Sequence, residues 1–229
     1  MNPPTPPTRA PQAVLFDAYG TLFDVYSVLA LAERLFPGHG ERLSLIWRDK
    51  QIEYSRLVSM AGERRSFRAL TLAGLRYAAA RLGLELAADA EARLMAQYQQ
   101  LAPFPENAAV LAELQRRGVP TGVLSNGDPD MLAELIGHAG FSAQLAPVLS
   151  VQETGRYKTD PAAYALGPAA LGLRAGEILF VSSNCWDAIG ATWFGYTTLW
   201  VNRAGLPLEP LETQPTRIGS SLRDVLDFF

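Results

Sequence analysis

The sequence predicts an α/β protein: a Rossmann-like parallel sheet whose chain is interrupted by a helical insertion. Three observations predict it. An apolar run, Ala13-Val14-Leu15-Phe16, stops at Asp17, ahead of a turn that Gly20 can make. Leucines and aromatics at helical spacing fill residues 27–100, with no clear strand among them. From residue 103 onward, short apolar runs alternate with helical periods. Such alternation gives a parallel sheet covered by helices on both faces.

The elements follow in order. Residues 1–11, with five prolines, read as a flexible tail. Residues 13–16 form a short, fully buried strand. Leu31 and Leu35, then Leu43, Ile46 and Trp47, then Leu70, Leu75 and Leu82, then Leu94 and Tyr98 mark about four helices, punctuated by Gly38, Gly40, Gly62 and Gly83. Asp24, just before them, reads as a cap. Helices are expected over 106–117, 129–139, 161–171, 186–194 and 221–228, and strands over 120–124, 147–151, 178–181 and 198–201. The lone first strand belongs in the sheet with the later ones. The expected division is therefore a core domain of residues 12–23 and 103–229, with residues 24–102 inserted as a helical domain.

Composition narrows the function. Of 229 residues, 48% are hydrophobic and 19% charged, too apolar and too weakly charged for a disordered chain. The net charge of -3 argues against a basic nucleic-acid-binding surface. No run approaches the ~20 apolar residues of a membrane span, and the N-terminus reads as neither signal peptide nor anchor. Cys185 is the one cysteine, so no intrachain disulfide can form. It has no histidine base nearby and reads as a buried structural thiol. The two histidines, His39 and His138, are not in metal-ligand spacing. A soluble cytoplasmic protein is the expectation.

In open parallel sheets, ligands sit beyond the carboxyl ends of the strands. Those ends carry Asp17, Ser125-Asn126 and Ser182-Ser183-Asn184, and Lys158 lies in a loop beyond another strand. Alone, Asp17 reads as a helix cap. Polar groups converging from several strand ends on one crevice favour a site.

In this arrangement the chain resembles the haloacid dehalogenase superfamily. Phe16-Asp17-Ala18-Tyr19-Gly20-Thr21-Leu22 is similar to its first motif, Leu124-Ser125-Asn126-Gly127 to its second, Lys158 to its third and Ser182-Ser183-Asn184-Cys185-Trp186-Asp187 to its fourth. The helical insertion resembles the superfamily's cap domain. Phosphatase members carry a second aspartate two residues after the nucleophile, to protonate the leaving alkoxide; here that position is Tyr19. A halide leaves without a proton, so the site suits a halide. The set resembles the L-2-haloacid dehalogenases, and Leu45-Ile46-Trp47-Arg48 resembles the cap helix that carries their halide-binding arginine.

The resemblance implies hydrolysis of short L-2-haloacids to 2-hydroxy acids with inversion, through an ester on Asp17. It implies no metal and no cofactor. Arg48 would receive the halide, with Asn126 as second contact, although Asn126 also reads as a turn residue before Gly127. Ser125 and the amides of Ala18 and Tyr19 would hold the substrate carboxylate. Lys158 would keep Asp17 ionised and oriented. Asp187 would fix Lys158 and help activate water, with Thr21, Ser182 and Asn184 as hydrogen-bonding partners. Tyr164 matches a family tyrosine near this network and reads equally as a core aromatic. Tyr19, Ile52, Phe67 and Trp186 would form apolar walls, or simply core. A homodimer is left open.

Three departures bear on substrate range: Asp49 beside Arg48, Thr159 after Lys158 where proline is usual, and Ala18 in place of leucine. The rival readings are a Mg²⁺-dependent phosphatase of the same superfamily, a fluoroacetate-type dehalogenase, and a catalytically silent binding protein on the same scaffold.

Overall fold

The computed structural model describes residues 10–229; residues 1–9, most of the expected tail, lie outside the described residues. Strand β1 (Ala13–Phe16) is apolar and fully buried, and the chain leaves the sheet at its end. A one-turn 3-10 helix, Val25–Val28, follows, capped by the Asp24 carboxylate on the Tyr26 N–H at 2.9 Å. Helices α1 (Leu29–Leu35), α2 (Gly40–Ala61), α3 (Phe67–Arg81) and α4 (Ala88–Tyr98) come next, four as the spacing predicts. The chain returns through α5 (Asn107–Arg116), β2 (Thr121–Ser125), α6 (Pro129–His138) and β3 (Val148–Ser150). It closes with α7 (Pro161–Leu171), β4 (Ile178–Ser182), α8 (Cys185–Phe194), β5 (Thr197–Val201) and β6 (Arg217–Gly219).

The six strands are all parallel, in the order β3-β2-β1-β4-β5-β6. The inner strands β1, β2, β4 and β5 are buried at every residue, which explains their continuous apolar character. The edges β3 and β6 have three residues each and are partly exposed. Strand order reverses at β1, between β2 on one side and β4 on the other. Ligands bind beyond the strand ends at such a switch point, and Asp17 stands there.

Three features differ from those the sequence predicts. Strand β6 was not expected: Arg217-Ile218-Gly219 is too short and too polar to read as a strand, and it pairs because β5 offers an open edge. The segment expected as a final helix over 221–228 is a 3-10 helix, Leu222–Phe228. A third expectation, buried Cys185, gives way to a partly exposed thiol in the first turn of α8; burial is still enough to push its pKa up.

Helix α2 carries an unusual stripe. Ser44, Arg48, Gln51, Ser55 and Ser59 are all buried, at intervals of three or four residues, so one buried face is polar. Buried polar groups need partners, and the neighbours supply them. Trp47 Nε1 donates to the Thr71 carbonyl at 2.7 Å, binding α2 to α3. Gly74 permits this approach, since a Cβ there would sit 3.1 Å from the Trp47 carbonyl oxygen. The Asp128 carboxylate accepts from the Phe67 and Arg68 amides, both at 2.8 Å, tying the start of α3 to the β2–α6 turn.

Two helical glycines should respond oppositely to alanine. A Cβ at Gly190 would lie 2.6 Å from both Thr159 Cγ2 and the Tyr164 hydroxyl, whereas one at exposed Gly137 meets only Ser142 Oγ, at 4.0 Å. Gly190→Ala is expected to destabilise by about 1–3 kcal/mol through overpacking. Gly137→Ala is expected to stabilise by roughly 0.5–1 kcal/mol through helix propensity. Urea unfolding of both variants against the parent checks the pair.

Candidate active site

Asp17 emerges at the end of β1, its backbone anchored by donation of its N–H to the Val181 carbonyl of β4 at 2.9 Å. Its carboxylate is fully engaged. Oδ1 accepts from Lys158 Nζ at 3.1 Å; Oδ2 accepts from the Thr21 hydroxyl and from Asn184 Nδ2, both at 2.9 Å. Thr21 is itself oriented, because its oxygen accepts the Ser183 N–H at 2.8 Å.

Lys158 is fully buried and bridges two carboxylates, reaching Asp187 Oδ2 at 2.9 Å. Its Nζ also lies 4.7 Å from the centre of the Phe180 ring. Asp187 receives the Tyr164 hydroxyl on Oδ1 at 2.7 Å. Burial pushes the Asp187 carboxyl above the usual range, against the pull of Lys158. Burial, then the Asp187 charge, pushes the Tyr164 phenol well up, so it stays protonated and donating. The Lys158–Thr159 peptide is cis.

A narrow cavity of about 20 Å³ lies over Asp17, enough for one water-sized group. Asp17, Ser125, Asn126 and Asn184 face it from the strand ends; Tyr19, Arg48, Ile52, Phe67 and Trp186 close it, together with Ser55. Arg48 reaches down from α2. Its Nη2 donates to the Tyr19 carbonyl at 3.1 Å and to Asn184 Oδ1 at 3.2 Å, and its Nη1 to Gln51 Oε1 at 2.8 Å. The nucleophile candidate and the cation are thus linked through one asparagine.

Tyr19 packs between Phe67 and Tyr98, with ring centres at 5.0 and 5.6 Å. Its hydroxyl is buried without a hydrogen-bond partner among the described residues, and burial raises its pKa well above the ordinary value. A Cβ at Gly127 would lie 2.7 Å from this ring, so the Ser125-Asn126-Gly127 turn needs its glycine for close approach.

The remaining residues named from the sequence sit behind the cavity wall. Ala18, Thr21, Lys158, Tyr164, Ser182 and Asp187 do not line the cavity. The Ser182 hydroxyl accepts the Asn184 N–H at 3.1 Å, so it shapes the β4–α8 turn and not the carboxylate. Asn126 lines the cavity, and its Oδ1 also accepts the Lys158 N–H at 3.0 Å, tying two loops together. The Ser125 oxygen accepts the Gly127 N–H at 3.2 Å. Asp49 is exposed and does not line the cavity; it borders an outer groove that shares Ile52 and Trp186 with the cavity wall.

Sequence reading missed Gln51, Ser55 and Arg203. The first two share a helix face with Arg48, at i+3 and i+7, a spacing legible in the sequence. Arg203 had no local signal. It lies just past β5, pairs with Glu106 at 2.9 Å, donates to Ser183 Oγ at 2.6 Å and to the Thr21 carbonyl at 3.2 Å, and covers the Phe104 ring at 3.8 Å.

Comparison with known proteins agrees with this geometry. The family model for haloacid dehalogenase-like hydrolases matches residues 11–195. Over 218 residues the chain is 42% identical to the (S)-2-haloacid dehalogenase of Pseudomonas sp. (strain YL), covering 95% of this chain and 94% of that protein. A crystal structure of an L-2-haloacid dehalogenase superposes with a TM-score of 0.94 at 54% identity, over 96% of this chain and 99% of that one. The Xanthobacter autotrophicus enzyme with chloropropionic acid covalently bound superposes at 0.87 with 36% identity, covering 94% and 96%.

Lys158→Met should destabilise in a pH-dependent way. Without the ammonium, the Asp187 carboxyl rises further above its unfolded value. A raised acid favours the fold below its unfolded pKa and loses that contribution as pH climbs through its folded pKa. The expected deficit is therefore about 3–5 kcal/mol near pH 8 and smaller near pH 5. Urea unfolding at both values checks it, and an equal deficit at both contradicts the assignment.

Proposed function

The chain belongs to the haloacid dehalogenase-like hydrolases, and we propose that it is an (S)-2-haloacid dehalogenase, releasing halide from short 2-haloacids and leaving 2-hydroxy acids. One observation carries the reading beyond family likeness. Asp17 faces a small cavity whose other wall is a buried arginine, with no acid where a leaving alkoxide would need one.

The chemistry follows from the placement. Lys158, Thr21 and Asn184 hold the Asp17 carboxylate in one orientation, so attack needs little reorganisation. One carboxylate oxygen displaces halogen from C2, inverting that carbon, and becomes the ester oxygen. Halide departs toward Arg48, a fixed cation where negative charge develops. The other carboxylate oxygen stays as the ester carbonyl. Water attacks that carbonyl carbon, and the donors already on the oxygen stabilise the oxyanion that forms. Collapse expels the 2-hydroxy acid, whose oxygen takes one proton of the attacking water while the other proton leaves to solvent, and restores the Asp17 carboxylate. Ser125 at the strand end supports the substrate carboxylate. Asp187 works through Lys158, because it does not reach the cavity.

Tyr19 weighs against the phosphatase alternative. Its phenol is buried, and its raised pKa makes it a poor acid. Lys158 already supplies a cation between the two carboxylates. No described helix is long and apolar enough to cross a membrane.

Purified protein incubated with EDTA should release chloride from (S)-2-chloropropionate and not from its enantiomer, and Asp17→Asn should abolish release. Activity only on phosphate esters with added Mg²⁺ would replace this reading with the phosphatase one.

A further inference from the structure

Gln51 lies one helical turn beyond Arg48, is buried, and has no part in the chemistry above. Its amide orientation is dictated by its neighbours. The Thr71 hydroxyl donates to the Phe67 carbonyl at 2.7 Å, so its oxygen is left as an acceptor. Only an amide nitrogen can meet that acceptor, and Gln51 Nε2 does so at 2.6 Å. The amide oxygen is thereby turned the other way, where it accepts from Arg48 Nη1 at 2.8 Å and from the Tyr98 hydroxyl at 2.9 Å. Burial raises the Tyr98 pKa, which keeps that hydroxyl a donor.

The acceptors of Arg48 are therefore the Gln51 amide oxygen, the Tyr19 carbonyl and the Asn184 amide oxygen, all neutral. Among the described residues Arg48 makes no ion pair. Buried arginines are usually paired with a carboxylate. Here dipoles fix the guanidinium and leave its charge uncompensated beside the cavity.

We propose that Gln51 is a positioning residue for the halide site: it aims Arg48, and its neutrality keeps the arginine's charge available to the departing anion. Thr71 sets the amide's orientation and is the second member of the device. This inference rests on the dehalogenase reading, and its test separates the two.

Gln51→Glu keeps the side chain's shape and adds a charge against Arg48. Thr71→Val removes the acceptor that orients the amide, and Thr71→Ser restores it. Two readouts apply: kcat/KM for (S)-2-chloropropionate against (S)-2-bromopropionate, and bromide binding by the line width of bromine NMR, which needs no turnover. The Glu variant should bind bromide at least about tenfold more weakly, and should lose more activity on the chloro substrate, whose poorer leaving group depends more on the cation. Thr71→Val should fall in the same direction by about threefold to tenfold, and Thr71→Ser should stay within about twofold of the parent. If the Glu variant fails to fold, the valine–serine pair carries the test. Unchanged bromide binding, with equal loss on both substrates, would mean that Gln51 only packs α2 on α3, and would overturn the proposal. A parent protein that releases no halide would instead defeat the dehalogenase reading. The bromide measurements would still decide the role of Gln51.

Discussion

The Lys158 ammonium, buried between the carboxylates of Asp17 and Asp187, is the interaction on which the rest depends. Two buried carboxylates facing each other across a sheet end would repel and shed a charge by protonation. One lysine between them leaves a single excess negative charge on the three groups. Every neighbouring hydrogen bond is consistent with that balance. Tyr164 donates to Asp187; Thr21 and Asn184 donate to the Asp17 oxygen that Lys158 does not hold. The nucleophile is thus aimed and surrounded before substrate arrives, which is the form of electrostatic preorganisation that accelerates a displacement.

The fold produces this balance by topology. Asp17 ends β1, Asn184 and Asp187 follow β4, and Lys158 enters from the loop after β3 on the far side. No segment of the chain holds all of them locally, so only the switch in strand order brings them together. Arg48 comes from a different layer, on a helix whose buried face is polar along its length. That stripe costs stability in a packed helix. Arg48 and Ser55 of the stripe line the cavity, and α3 satisfies Gln51 through Thr71.

Much of this was legible in the sequence for identifiable reasons. The inner strands are buried on both sides, so they read as continuous apolar runs, and the polar residue ending each run stood out against them. The four inserted helices were legible from leucine spacing. Strand β6 was not, because a three-residue edge strand is held by its partner's open edge and not by its own pattern. The residues named for the site divide in a way no linear reading shows: some face the cavity, while Thr21, Lys158, Tyr164, Ser182 and Asp187 stand behind it. Gln51 was available as an i+3 neighbour of Arg48, but glutamine on a helix signals surface until its burial is seen. Arg203, far along the chain from the residues it holds, left no sequence signal at all.

The central claim is that Asp17 itself forms a bond to the substrate carbon. The most direct measurement is a single turnover of (S)-2-chloropropionate, with protein in excess, in heavy-oxygen water. Attack by Asp17 followed by hydrolysis at its own carbonyl predicts unlabelled lactate and heavy oxygen in the peptide that contains Asp17. Labelled lactate with an unlabelled Asp17 peptide would mean that water attacks the substrate carbon directly, and would contradict the account.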